Sequence, residues 1–233
     1  MSAAALLVDS AGAGASVRAL NRSEVLVVTS WYPTPESRFS YPFIPDHLSA
    51  WVDHLFVDDG APLAVIHPQE ALSLLAAIKH GQGRFIGRTE GSGWRVIHAQ
   101  GWRLKRRWSQ GDLVREIRSL KRALSHFRWL EGREPRLIIA QTLSAARQSL
   151  LLRRALKWAS PVVLIEHSSP LAIQFQVEAA EPYQRKALCD VDAVIAVSRN
   201  LAESIIEVRG PRNVHVIPNP VDPNVFTTPL PEP

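Results

Sequence analysis

The residues of this chain best suited to chemistry stand together in "LIEHSSP" (164–170), where a carboxylate, an imidazole and two hydroxyls follow one another as Glu166, His167, Ser168 and Ser169. A neutral imidazole can donate or accept a hydrogen bond to a sugar hydroxyl, and serines at a helix start can offer hydroxyls or backbone amides to an anion. The same residues also allow a plainer role, in which His167 ends a strand and Ser169-Pro170 caps the next helix. A second group lies in "SWYPTPESRFSYPF" (30–43), a proline- and aromatic-rich connection whose Trp31 and Tyr41 are candidate ligand contacts. Glu36 or Asp46 could act there as acid or base, although solvated loop carboxylates are common. His47 and His54 lie seven apart and could share a helix face, yet no acidic partner or ligand spacing makes them a metal site. Last comes "GWRLKRRW" (101–108), with Trp102, Arg103, Lys105, Arg106, Arg107 and Trp108. Rings and cations in this mixture suit peripheral contact with anionic headgroups; the same mixture could stack on bases or form a solvated basic face.

These groups need a scaffold, and the apolar pattern supplies one. Runs rich in Val and Ile, bounded by turn residues, predict strands at 24–30, 61–67, 94–99, 136–142, 161–167, 192–198 and 213–218. Helical patterns run over 44–55, 69–80, 111–131, 144–158, 171–188 and 199–209. The clearest is 111–131, where Leu113, Ile117, Leu120, Leu124 and Phe127 lay one apolar stripe along a helix with arginines opposite. Several strands are apolar on both faces, as in a parallel sheet between two helix layers. The fold class is therefore α/β: a Rossmann-like, doubly wound, mainly parallel sheet of about seven strands. Ligands of such sheets sit beyond the carboxyl ends of the strands, which directs attention to Thr29–Tyr41, His67, Gln141–Ser144, Glu166–Pro170 and Ser198–Asn200. Ser198 reads as a helix N-cap. The glycine-dense 81–93 lacks phosphate-loop spacing and reads as an ordinary connection.

Length and composition narrow the class. With 233 residues, 46% of them hydrophobic and 21% charged, the chain can bury a full core and is too apolar for wholesale disorder. Cys189 is the only cysteine, which excludes an intramolecular disulfide and fits a reducing compartment, the cytoplasm. The net charge of +5 favours anionic partners without choosing among them. No apolar run approaches the ~20 residues of a membrane span, so membrane contact is expected only at the periphery, on the inner face, through the basic segment. Residues 1–23 read as a flexible small-residue tail; their "GAGAS" precedes the first strand, whereas a dinucleotide-binding turn must follow one. The body is expected over 24–218 and a proline-stiffened linker over 219–233.

Taken in order, "VLVVTSWYPTPESRFSYPFIPDHLSA", "PVVLIEHSSP", "DVDAVIAVSRNLAESI" and "VHVIPNPVDPNVF" resemble the N-terminal domain of family 4 glycosyltransferases of the GT-B fold. The resemblance spans about 24–226, and the last segment, similar to the family's "IPNGVD...F", is the most diagnostic. It implies a retaining hexosyltransferase of two Rossmann-like domains. The first mainly binds a glycan or lipid-linked acceptor; the second holds a nucleotide-diphosphate sugar as donor substrate. No metal or other cofactor is implied, and no nucleic acid is expected. By this resemblance His167 matches the cleft histidine that contacts the transferred sugar, and Asn219, Asp222 and Phe226 match the interdomain crossover; Glu166, Ser168, Ser169, Tyr41 and Trp31 are the substrate-binding candidates by their position at strand ends and in the first loop. Two positions depart from the pattern: Tyr41-Pro42 stands where the family has Gly, and "NPVD" replaces "NGVD", so backbone freedom is lost at both. The sequence ends at Pro233, so the donor domain is expected to lie in another polypeptide or segment, and 1–233 by themselves are not expected to turn over.

Overall fold

The computed structural model describes residues 25–32, 43–55, 63–73, 86–91, 94–103, 110–124, 134–168, 170–171, 175 and 181–220. Within them, in chain order, lie β1 (Val25–Thr29), α1 (Phe43–Leu55), β2 (Leu63–Ser73), β3 (Ile86–Gly91), β4 (Trp94–Arg103), α2 (Gln110–Leu124), β5 (Leu137–Gln141), α3 (Leu143–Leu156), β6 (Val162–Glu166), α4 (Glu181–Asp190), β7 (Ala193–Ala196), α5 (Arg199–Arg209) and β8 (Val214–Val216). The strands form one sheet in the order β3-β4-β2-β1-β5-β6-β7-β8. Every pairing is parallel except β3 with β4.

Alternate residues of each strand feed two separate cores, which is why the strands read as continuous apolar runs. Leu26, Val28, Ile138, Ala140 and Leu164 pack on one face with Leu120 of α2, Leu152 of α3, Leu188 of α4 and Ile205 of α5. Val25, Val27, Leu63, Val65, Val96 and Ile139 pack on the other with Ile44 and Leu48 of α1. A fully buried Leu or Ile contributes about 1.5–3 kcal/mol relative to exposure, so neither layer is dispensable. On α2, Leu120 and Leu124 are buried while Arg118, Lys121 and Arg122 are exposed, as its stripe predicts. Its neighbours Leu113 and Phe127 lie outside the residues whose side chains are described.

All seven predicted strands are present, and three local expectations are corrected. First, the glycine-dense connection forms β3, an antiparallel partner of β4 with Gly91 opposite Trp94. Two residues, Ser92 and Gly93, join them, and a two-residue link containing Gly is a hairpin signal. Second, the helix expected from 69 does not start there: β2 runs on to Ser73, with an irregularity between Gln69 and Leu72, because β4 itself extends to Arg103 and pairs Trp102 with Leu72. Third, α4 begins at Glu181 rather than 171, with Pro182 in its first turn, where a missing N–H costs nothing. No helix among the described residues is long and apolar enough to cross a membrane.

Candidate active site at the sheet switch point

From β1 the chain winds one way, to β2 and β4; from β5 it winds the other, through β6 and β7 to β8. The helices that follow β1 and β5 therefore pack on opposite faces of the sheet, and the crevice of a doubly wound fold is expected at the carboxyl ends of these two strands. Directly paired residues share a face, so the register fixes what lines it. Thr29 pairs with Gln141, Gln141 with Ile165, and His67 with His98. These positions continue the face of Val27, Val65, Val96 and Ile139, the face that α1 covers. His167, two residues past Ile165, extends it, while Glu166 belongs to the opposite face.

His167 is half-buried, its ring 5.5 Å from that of His47 on α1 and 6.3 Å from Trp31. Burial, with repulsion from His47, holds its pKa at about 4, against a smaller opposing pull from the Asn219 side chain. At pH 7 the imidazole is therefore neutral and able to hydrogen-bond, but it is too weak a base to hold a proton from a sugar hydroxyl. Asn219, the expected crossover residue, is thus brought to His167.

Glu166 is fully buried. Its Oε1 accepts the backbone amides of His167 at 3.1 Å and Ser168 at 2.8 Å, and the carboxylate also takes the Leu143 amide at the start of α3. Burial raises its pKa in spite of these hydrogen bonds. The side chain thus ties the β6 turn to α3 and sets the place of His167. Glu166→Ala strands these amides and is expected to cost about 3 kcal/mol of stability, whereas Glu166→Gln keeps one acceptor oxygen and should cost about 1 kcal/mol. Urea unfolding of both variants checks this, and equal losses would contradict the tie.

The loop after β1 is pinned from below. Thr29 Oγ1 accepts the Trp31 amide at 3.2 Å and its hydroxyl lies 3.2 Å from the Trp31 carbonyl. Trp94 Nε1 donates to the Tyr32 hydroxyl at 3.3 Å. Beneath Tyr32, the Nδ1 atoms of His67 and His98 lie 2.8 Å apart, so one donates and the other accepts. Burial, then repulsion from His98, holds the His67 pKa at about 4, while the Ser30 backbone pulls it upward. The imidazole pair is the part that motif reading missed. The signal was present, since β2 and β4 both carry Val-Ile-His at register-matched positions.

Between these clusters, Gln141 ends β5 and Thr142 follows it. Thr142 has φ 114° and ψ 156°, a backbone region natural only to glycine and costly by about 1–3 kcal/mol for other residues. Its hydroxyl nevertheless accepts the Ala145 amide as the N-cap of α3. Thr142→Gly removes the strain and loses little of the cap, so it is expected to stabilise the chain by about 1 kcal/mol in urea unfolding. A loss of that size instead would show that the cap outweighs the strain.

Of the candidate residues, the crevice gathers His167, Trp31 and, by its tie, Glu166; Ser168 lies in the turn with its amide held. Ser198 caps α5, accepting the Leu201 amide. Tyr41, Ser169, Asp222 and Phe226 lie outside the described residues. Trp102 and Arg103 end β4; Lys105, Arg106, Arg107 and Trp108 lie outside. No group of three metal-ligating side chains occurs among the described residues.

Residues 87–225, more than half of the chain, match the family model described as Glycosyltransferase Family 4. The chain belongs to glycosyltransferase family 4. No curated protein has a significantly similar sequence. Among solved structures, an α,α-trehalose-phosphate synthase (UDP-forming) from Burkholderia vietnamiensis is similar at 14% identity and a TM-score of 0.51, over 88% of this chain and 49% of that one. Anabaena HepE in complex with UDP is similar at 15% identity and a TM-score of 0.50, over 88% of this chain and 46% of that one. The apo structure of OtsA is similar at 10% identity and a TM-score of 0.54, over 90% of this chain and 53% of that one. These similarities concern the fold, which is one GT-B half, and the family 4 chain spans about half the length of the structures it matches.

Proposed function

We propose that residues 24–218 form the acceptor-side half of a retaining glycosyltransferase that moves a hexosyl group from a nucleotide-diphosphate sugar to a glycan or lipid-linked hydroxyl, as in polysaccharide or glycolipid assembly. The observation that carries this reading is His167: a neutral, hydrogen-bonding imidazole beside Trp31, at the switch point of a family 4 sheet. A neutral imidazole next to an indole suits an uncharged sugar. The leaving diphosphate needs cationic or helix-dipole stabilisation, which the second domain of the complete enzyme supplies. The acceptor oxygen forms its bond to the anomeric carbon as the bond from that carbon to the diphosphate oxygen breaks; the electron pair leaves with the diphosphate, which takes up the proton of the acceptor hydroxyl. On this account residues 1–233 by themselves do not turn over. The test is to join the chain to a family 4 donor domain and follow sugar transfer. Transfer by the joined protein and none by 1–233 alone supports the reading, and transfer by 1–233 alone, with no second protein, refutes it.

A further inference from the structure

A row of register-matched polar residues crosses β4, β2, β1 and β5 on the face of α1, namely His98, His67, Thr29 and Gln141, and all four are buried. The first three have assigned work. The imidazoles hydrogen-bond to each other, and Thr29 clamps the backbone of Trp31. Gln141 differs. It has no exposed surface, and both its Oε1 and its Nε2 lack a hydrogen-bond partner. A buried primary amide with neither atom satisfied is costly, and a native structure that keeps one needs a reason for it. Its neighbours locate that reason. Gln141 pairs with Thr29, which holds Trp31, and with Ile165, which precedes His167 by two residues on the same face.

We propose that Gln141 is the residue that recognises the acceptor in this crevice. Its amide oxygen accepts from one hydroxyl of an uncharged pyranose and its amide nitrogen donates to the adjacent hydroxyl, on the sheet face that carries the neighbouring rings of Trp31 and His167. The inference rests on the acceptor-side reading and adds to it a specificity residue and a ligand class, a neutral vicinal diol. Thr29, Gln141 and Trp31 carry no charge and His167 is neutral at pH 7, so nothing in the row favours a phosphate. Gln141 is closed from solvent, so a hydroxyl that reaches its amide meets no competing water, the condition under which such hydrogen bonds discriminate most strongly.

The test uses residues 1–233 with methyl α-D-glucopyranoside, methyl α-D-mannopyranoside and methyl α-D-galactopyranoside as probes, read by saturation-transfer NMR, together with thermal melts. Gln141→Leu and the less compacting Gln141→Met remove both polar atoms, and His167→Ala serves as the control. At least one glycoside is expected to bind the unaltered chain, both Gln141 variants are expected to bind it at least about tenfold more weakly, and their Tm is expected to stay level or rise, since an unmet polar group has been removed. Gln141 variants that bind like the unaltered chain while His167→Ala loses binding would overturn the role of Gln141 and leave the acceptor-side reading standing. A Tm lowered by several degrees would also overturn it, making Gln141 a structural residue. Absence of binding by the unaltered chain to all three glycosides would overturn both.

Discussion

Replacing His167 by alanine, in the chain joined to a family 4 donor domain, is expected to lower kcat/KM for sugar transfer by about 10²-fold or more. The size follows from what the ring does. It is held at the crevice by the Glu166 turn, packed against His47 and Trp31, and kept neutral, so it can place a hydrogen bond on the sugar without competing as a proton acceptor. His167→Gln retains a donor and an acceptor at similar reach and should recover part of the loss, about tenfold. Since the imidazole titrates near 4, its protonation contributes no step to the pH–rate profile between pH 6 and 8. Transfer that persists unchanged in His167→Ala would remove the assignment, and a rate that tracks a group titrating near 6.5 and vanishes with the histidine would show a proton-transfer role instead.

Acid is expected to destabilise the fold strongly, and the sign can be worked out group by group. The pKa values of His67 and His167 are lowered from 6.5 to about 4, and that of His47 is lowered as well, chiefly by burial and against the pull of Asp46. Between pH 6.5 and 4 the unfolded chain therefore binds protons that the folded chain refuses, and stability falls as pH falls. Glu166 works in the opposite sense. Its raised pKa means that the folded chain binds a proton more tightly than the unfolded one, a contribution present below the ordinary glutamate range and lost as pH rises through the raised value. Three imidazoles outweigh one carboxyl, so the net expectation is a loss of several kcal/mol between pH 6.5 and 4, a large share of the 5–15 kcal/mol that domains typically possess. Urea unfolding from pH 7.5 down to 4.5 measures it, and His67→Gln should flatten the slope. Stability that held level or increased toward pH 4.5 would show that these imidazoles are not buried as described.

The strands that could be read from the sequence are those whose two faces are both covered. Val25–Thr29 and Val162–Glu166 place alternate side chains in separate cores, so no period-two alternation weakens the apolar signal. What could not be read depended on partners. Ile86–Gly91 becomes a strand only because β4 offers it a pairing edge, and the end of β2 continues past Gln69 only because β4 is long enough to meet it. The site was legible where a strand end carried an unusual residue, as at His167. It was not legible where its meaning came from register: His67 and His98 lie 31 positions apart and become one hydrogen-bonded pair only in the folded sheet. The backbone of Thr142 gives no sign in the sequence at all, since a threonine before a helix looks like an ordinary cap and here is a cap in a glycine conformation. Nor does the sequence announce that Glu166 accepts the amides of His167 and Ser168 and so ties the turn.

The carboxyl edge between β1 and β6 is the proposed place where this family 4 chain receives its acceptor sugar. Amide chemical-shift mapping on the isotope-labelled chain, titrated with the three methyl glycosides, addresses it at single residues. Shifts are expected to concentrate at Thr29–Tyr32, Gln141–Leu143 and Glu166–Ser168, on both sides of the switch point. Shifts clustered instead on the outer faces of α3 and α4, or along β8, with these three segments unmoved, would contradict it.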